Sequence, residues 1–269
     1  MRSKILITSI LLFSFMLSKA QCFKDQKAFQ VGEKISYEAY YNWGLIWIHA
    51  GDVSFEVRDG KYKNQSALHF YSYGSSKPSY DWLYKVRDTY QSYITKDTYT
   101  PLFFERKVAE GSFWAHDQAY FDVKKGVAFT SVENSSLAKH TDTVAISDCT
   151  LDVLSMIYYA RNIDFSTRKK GDKIPISMLV EDAVYDLYIQ FLGEETIELK
   201  TGKSYRCNKF SILLIEGTIF SDGEEMTVWV TDDANKIPVQ VEANILVGSI
   251  KAVVKDMQGL RHPLNAEIR

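Results

Sequence analysis

The sequence predicts a mainly all-β fold: a strongly curved antiparallel sheet or open β-barrel with one short helix near 150–161. Three observations carry this. Apolar and polar residues alternate with period two over most of the chain. Short turn signals separate the alternating stretches, as suits antiparallel neighbours. One internal segment alone has strong helical spacing. There is no β-α-β alternation and no linker rich in Gly, Pro or Ser, so residues 21–269 are expected to form a single β domain.

Residues 1–20 stand outside that domain. Arg2 and Lys4 precede an apolar run from Ile5 to Leu17, and Ser18-Lys19-Ala20 places small residues where a signal peptidase needs them. The run is too short to span a bilayer comfortably. The pattern reads as a secretory signal cleaved after Ala20. A lipid anchor on Cys22 would want an apolar residue and then small ones before it, and Lys19 and Gln21 argue against that.

The strands follow in order. In "KISYEAYYNW", Ile35, Tyr37, Ala39, Tyr41 and Trp43 share one parity, expected to be core, and Ser36, Glu38, Tyr40 and Asn42 share the other. Residues 35–42 and 48–57 read as a hairpin bent near Asn42–Gly44, with Asp59-Gly60 as the next turn. "ALHFYSYG", "YDWLYKVRDTYQSYI", "TPLFFERKVAEG" and "WAHDQAYFDVKKGVAFTS" continue the alternation, with a turn at Lys124–Gly126. In "SDCTLDVLSMIYYARNIDF", Leu151, Leu154, Tyr158 and Arg161 recur at helical spacing, with Thr150 as N-cap and Arg161 suited to the last turn. Beyond it lies a meander with turns at Thr201–Lys203 and Asp232–Lys236. A short echo links "VGEKISYE" (31–38) with "KGDKIPIS" (170–177), though it is far briefer than the fixed periods of repeat proteins.

Composition excludes several functions. Lys plus Arg number 32 against 34 acidic residues, and losing Arg2, Lys4 and Lys19 makes the remainder more acidic. No overall attraction for nucleic acid follows. The three cysteines, Cys22, Cys149 and Cys207, include no C-x-x-C. Export permits one disulfide; Cys149–Cys207 is the preferred pair, with buried free thiols as the equal alternative.

Recognisable catalytic patterns are missing: no G-x-S-x-G, no H-E-x-x-H, no phosphate-binding loop and no dinucleotide fingerprint. The five histidines are scattered. His116-Asp117 would point to opposite faces of a strand, and Asp232-Asp233 lacks the spacing of a calcium loop. Neither a metal nor a cofactor is expected. The anomaly is aromatic: Phe, Trp and Tyr make up 14 % of residues, with Tyr at seventeen, crowded into the first third. Cross-strand packing accounts for many of them. Tyr40, Trp47, Tyr73, Tyr80 and Trp82 are the candidates for a partly exposed ligand-binding aromatic surface.

Gly32-Glu33 with Tyr37, then Ala50-Gly51, then Asp152-Val153-Leu154-Ser155, then Trp229-Val230-Thr231-Asp232-Asp233 with Pro238-Val239 occur in an order that resembles the exported bacterial proteins grouped as domain-of-unknown-function family 3108. The resemblance spans about residues 30 to 256. It implies a mostly antiparallel β protein of the cell envelope and carries over no catalytic residue. The functional expectation is a non-catalytic periplasmic protein, or an extracellular one, that is not an integral membrane protein. It would hold an amphiphile, a glycan or a protein segment in a curved groove. The alternatives are a structural subunit that binds an envelope partner, and an enzyme with an unrecognised site.

Overall fold

The computed structural model describes residues 28–43, 46–213, 225–245 and 248–268; the leader, Cys22 and the Gly44 bend lie outside them. The described strands are β1 (Lys34–Trp43), β2 (Ile46–Tyr62), β3 (Gln65–Ser76), β4 (Arg87–Thr95), β5 (Pro101–Glu110), β6 (Phe113–Asp122), β7 (Val127–Asn134) and β8 (Leu137–Ala145). Next come β9 (Thr150–Leu151), helix α1 (Val153–Ala160), β10 (Lys173–Val180), β11 (Ala183–Glu198) and β12 (Ser204–Leu213). The last are β13 (Glu225–Thr231), β14 (Pro238–Asn244), β15 (Ser249–Gln258) and β16 (Glu267–Ile268).

All belong to one sheet, ordered β8-β7-β6-β5-β4-β3-β2-β1-β15-β14-β13-β12-β11-β10-β9, with β16 beside β12. The chain makes two meanders, β1–β8 and β10–β15, and the second joins the first where β15 pairs antiparallel with β1. The two-residue β9 beside β10 is the parallel contact. The sheet is strongly curved and does not close. Side chains tie the two meanders across the gap: Arg106 reaches Glu181 at 2.9 Å, and His140 reaches Asp182 at 2.9 Å.

Helix α1 lies on the concave face. Leu154 and Tyr158 pack against Val57, Phe70, Ile94 and Phe104 of the first meander. Met156 and Ala160, with Ile163 and Phe165 behind them, pack against Ile176, Ile189, Phe191 and Phe210 of the second. The Tyr158 ring stacks on Phe70 at 3.9 Å. Two opposite helix faces thus serve two walls, which is why a short helix can organise a long sheet.

Several local expectations need correction. The helix begins at Val153, capped by Asp152, whose carboxylate accepts from the Ser155 backbone N–H at 2.9 Å. Thr150, expected as the cap, is drawn into β9 instead. Strand β2 runs through Asp59-Gly60, because Gly60 pairs with Ala67 and a side chain there would meet the Cβ of His69. The turn falls at Lys63-Asn64, both with positive φ (44° and 66°), the geometry that suits the twist of a tight hairpin. Residues Tyr80 to Tyr84 are not strand: Pro78–Tyr80 is a 3-10 turn inside a loop, and β4 starts at Arg87. Cys207 is a buried free thiol, so the Cys149–Cys207 pair is not made; Cys149 is disulfide-bonded.

The short echo has a structural counterpart. Gly32 and Gly171 sit at φ +93° and +96°. Each donates to the far strand (Gly32 to Val57 O and Gly171 to Phe191 O, both 2.8 Å), and Val57 and Phe191 donate back to Glu33 O and Asp172 O at 2.9 Å. Glycine is used because a left-handed residue must lead into β1 and into β10.

Candidate functional site

Strands run antiparallel, so their turns fall alternately at two ends. One end is closed by α1 and by a buried latch. The Arg161 guanidinium donates to both Glu33 oxygens (2.5 and 2.9 Å), to Asn235 O (2.9 and 3.2 Å) and to Ala28 O (3.1 Å). Arg161 was expected to be a helix-end charge; it is 3 % exposed and Glu33 is 1 % exposed. Around them Tyr37 donates to Pro238 O at 2.9 Å. Asp152, also buried, accepts from the hydroxyls of Ser92 (2.7 Å) and Ser155 (2.6 Å). Burial pushes the Asp152 carboxyl up, and these hydrogen bonds pull it back down. In the turn after β13, Asp233 accepts from the Asn235 and Lys236 backbone N–H groups, an Asx turn rather than a cation loop. Most charges here are answered by side chains and backbone already in place. The latch binds the chain to itself.

The other end is open. Cross-strand pairing sets Tyr41, Ile250, Ala243 and Met226 in one concave row, and Ala39, Ala252, Val241 and Val228 in the next. Farther along these rows Ile212, Ile189, Phe210 and Phe191 are buried against the helix side. Toward the β1–β2 and β14–β15 hairpins, Ala39, Tyr41, Val241, Ile250, Ala252 and Met226 are only half-buried. Met226 and Val241 touch the margin of the helix-side cluster, and Ala252 that of the cluster around Tyr37 and Val254.

Toward the same end, the side chains of β4 to β6 are polar. Arg106 bonds Asp117 and Glu181, and the buried Asp117 keeps one carboxylate oxygen without a hydrogen-bond partner. Burial pushes the Asp117 carboxyl up although Arg106 opposes it. At the rim, burial and then the neighbouring Asp88 carboxylate push Glu110 up to about 7. Burial also raises Asp88, which accepts from Ala109 N–H at 3.1 Å. Tyr90 between them is pushed up to about 12 by burial. An apolar patch on β1 and β13 to β15 and a hydrogen-bonding one on β4 to β6 lie toward the same end, an arrangement that suits an amphiphile.

The five expected aromatics are not joined into one surface by ring contacts among the described residues. Tyr40 is half-buried on the convex face; its hydroxyl donates to Glu38 at 2.6 Å, and Lys200 Nζ lies 4.1 Å from its ring. Trp47 shares that face, with Lys251 Nζ 4.8 Å from its ring. Tyr73, 37 % exposed, stands on β3 opposite Ser54. Tyr80 and Trp82 leave the sheet on the β3–β4 loop. Beside Tyr40, the ligand atoms of Glu38, His49 and Asp52 lie within 4.8 Å of one another. Lys77 Nζ sits 2.6 Å from Asp52 and Lys255 Nζ 3.6 Å from Glu38, supplying the positive charge a metal would bring. His116 and Asp117 do face apart: His116 turns to Glu105 and Glu133, Asp117 to Arg106. Parity assigned Ala39 and Tyr41 to the core face, but nothing in their spacing showed that the helix fills only the opposite end.

The model of a family described as a protein of unknown function (DUF3108) matches residues 36–255. No curated protein matches the chain. Among solved structures, the chain is similar to a β-barrel-like protein of domain of unknown function DUF1849 from Brucella abortus, at 8% sequence identity and a TM-score of 0.56, over 86% of this chain and 98% of that one. At that identity the likeness is one of fold. No helix among the described residues is long and apolar enough to cross a membrane.

Proposed function

The chain belongs to the DUF3108 family, and we propose that it is a non-catalytic protein of the cell envelope that holds an amphiphile in the open end of its curved sheet. The observation that carries this reading is the set of half-buried apolar members of two adjacent concave rows, Ala39, Tyr41, Val241, Ile250, Ala252 and Met226. Apolar side chains left half-wet inside a sheet whose other end is packed to completion favour an occupant. The polar wall at Arg106, Asp117 and Glu110 would meet a head group. Export is supported by the leader pattern of residues 1–20 and by the disulfide at Cys149, which an oxidising compartment maintains. Intact mass of the exported protein should equal residues 21–269; a diacylglyceryl group on Cys22 would contradict cleavage after Ala20.

The binding test uses N-phenyl-1-naphthylamine, which brightens in apolar surroundings. The mature protein should bind it with saturation. Ala252→Arg, which puts a charge into the apolar wall, should weaken binding at least tenfold while leaving the thermal midpoint near wild type. A dye that does not saturate, or one indifferent to the arginine, would rule the pocket out. Native mass spectrometry of protein taken from the envelope then identifies the cargo; a co-purifying protein with no retained lipid would favour the structural-subunit reading instead.

A further inference from the structure

The exposed large apolar residues are concentrated at one end. Ile46 (65 %), Trp114 (45 %) and Leu137 (43 %) flank hairpin turns of the open end, and the β3–β4 loop adds Trp82 (81 %), Leu83 (65 %) and Tyr84 (51 %). The loop is a built finger. Ser76 Oγ donates to Asp81 and accepts from Val86 N–H at 2.9 Å. Arg87 clamps Asp81 with two donors (2.5 and 3.2 Å), and Leu83 and Tyr84 N–H groups both donate to Tyr80 O. A stalk this well bonded holds Trp82 and Leu83 out in water, while the Tyr84 ring lies over Gly111 and braces the finger against the β5–β6 turn.

We propose that this finger docks the protein on a bilayer containing anionic lipid, with the mouth of the open end turned toward the membrane. From Ser76 to Arg87 the charged residues are Lys77, Asp81, Lys85 and Arg87, and Lys77 is paired with Asp52. Asp81 is neutralised by Arg87, and Lys85 stays exposed beside the tip. Trp and Tyr at the tip suit the level of lipid head groups, Leu83 the acyl boundary, and a flanking cation an anionic surface. A protein partner fits less well. The tip is convex, and its side chains offer on the order of 500 Å², less than the roughly 800 Å² each partner gives to a standard interface. Delivery or collection of an amphiphile gives the docking its purpose. The proposal rests on the amphiphile reading only for that purpose and for the direction of the mouth; attachment stands on the finger alone.

The test is flotation of the mature protein with vesicles of phosphatidylcholine containing phosphatidylglycerol, beside vesicles of phosphatidylcholine alone. The anionic vesicles should carry at least tenfold more protein. The double variant Trp82→Asp with Leu83→Asp should lose that binding at least tenfold while its thermal midpoint and naphthylamine binding stay at wild-type values. Brominated lipid should quench fluorescence in the wild type and do so markedly less in Trp82→Phe. Absence of flotation, equal flotation on both vesicle types, or full binding by the double variant would overturn the docking. Loss of naphthylamine binding in the wild type with flotation intact would instead sink the pocket and leave the docking standing.

Discussion

The two ends of this sheet are made of the same strands and similar residues, yet one is filled and the other is not. At the closed end Phe70, Ile94 and Ile189 are fully buried. At the open end Ala39, Tyr41, Val241 and Met226 remain half-wet. The difference lies in what stands in front of the sheet: α1 and residues 163–165 cover one end, and the other touches only the margins of the clusters they help to form. A curved sheet supplies one wall of a core, and stability or binding follows from what occupies its concavity. The residues that carry the family resemblance divide the same way. Glu33, Tyr37, Asp152, Ser155, Asp233 and Pro238 all meet in or beside the closed end, so they specify the scaffold.

The largest break in this comparison should come from the latch. Arg161→Met would strand the Glu33 carboxylate in a dry site and should cost on the order of 3–5 kcal/mol in urea unfolding. Pairing it with Glu33→Leu should recover much of the loss; if the double variant is no better than the single one, the cost is not that of an unpaired charge. Next, Leu154→Ala should cost about 2–5 kcal/mol, as a cavity between the two walls. A loss below about 0.5 kcal/mol, the range of surface changes, would mean that the helix is not the filler. Smaller still, Met226→Ala at the open end should cost under about 1.5 kcal/mol, since a half-wet side chain gives up less burial. Should it match Leu154→Ala, the open end is core and the proposed pocket is lost.

The smallest effect is one of pH, and it sets two carboxyls of β5 against each other. Glu110 is held up to about 7, by burial and then by Asp88, so the folded state keeps its proton more tightly than the unfolded chain. Its contribution is therefore full below its ordinary value of 4.5 and is lost as pH rises through 7. Glu105 is held down at about 2: burial works against this, but hydrogen bonds from His116, Gln118 and Gln91 outweigh it. Its contribution is present above 4.5 and is lost as pH falls toward 2. Glu110→Gln should flatten the decline of the thermal midpoint between pH 5 and 7.5, and Glu105→Gln should flatten the decline below pH 4. Exchange of these two outcomes would show that the rim and the sheet face have been assigned the wrong way round.

Much of the architecture was legible in the chain. Alternation reported two-faced strands, and the turns at Gly126, Gly202 and Asp233 could be placed because each needs a residue type with a specific backbone habit. The helix could be located from Leu154 and Tyr158. The misplaced turn at Asp59-Gly60 shows the limit: a favourable dipeptide was overruled by the pairing of β2 with β3, a contact between segments that local propensity cannot see. The cysteines show the same limit, since spacing does not say which thiols meet.

What the sequence determined by itself is the local alphabet: period-two strands, one amphipathic helix, their turns, and an acidic chain without catalytic signatures. What only the tertiary structure decided is where the helix rests. That choice turned Arg161 from a surface charge into a buried latch and left Ala39 and Tyr41 half-wet although their parity marks them as core. The physical reason is that side-chain direction is fixed by neighbouring backbone, whereas burial depends on distant segments arriving in front of it.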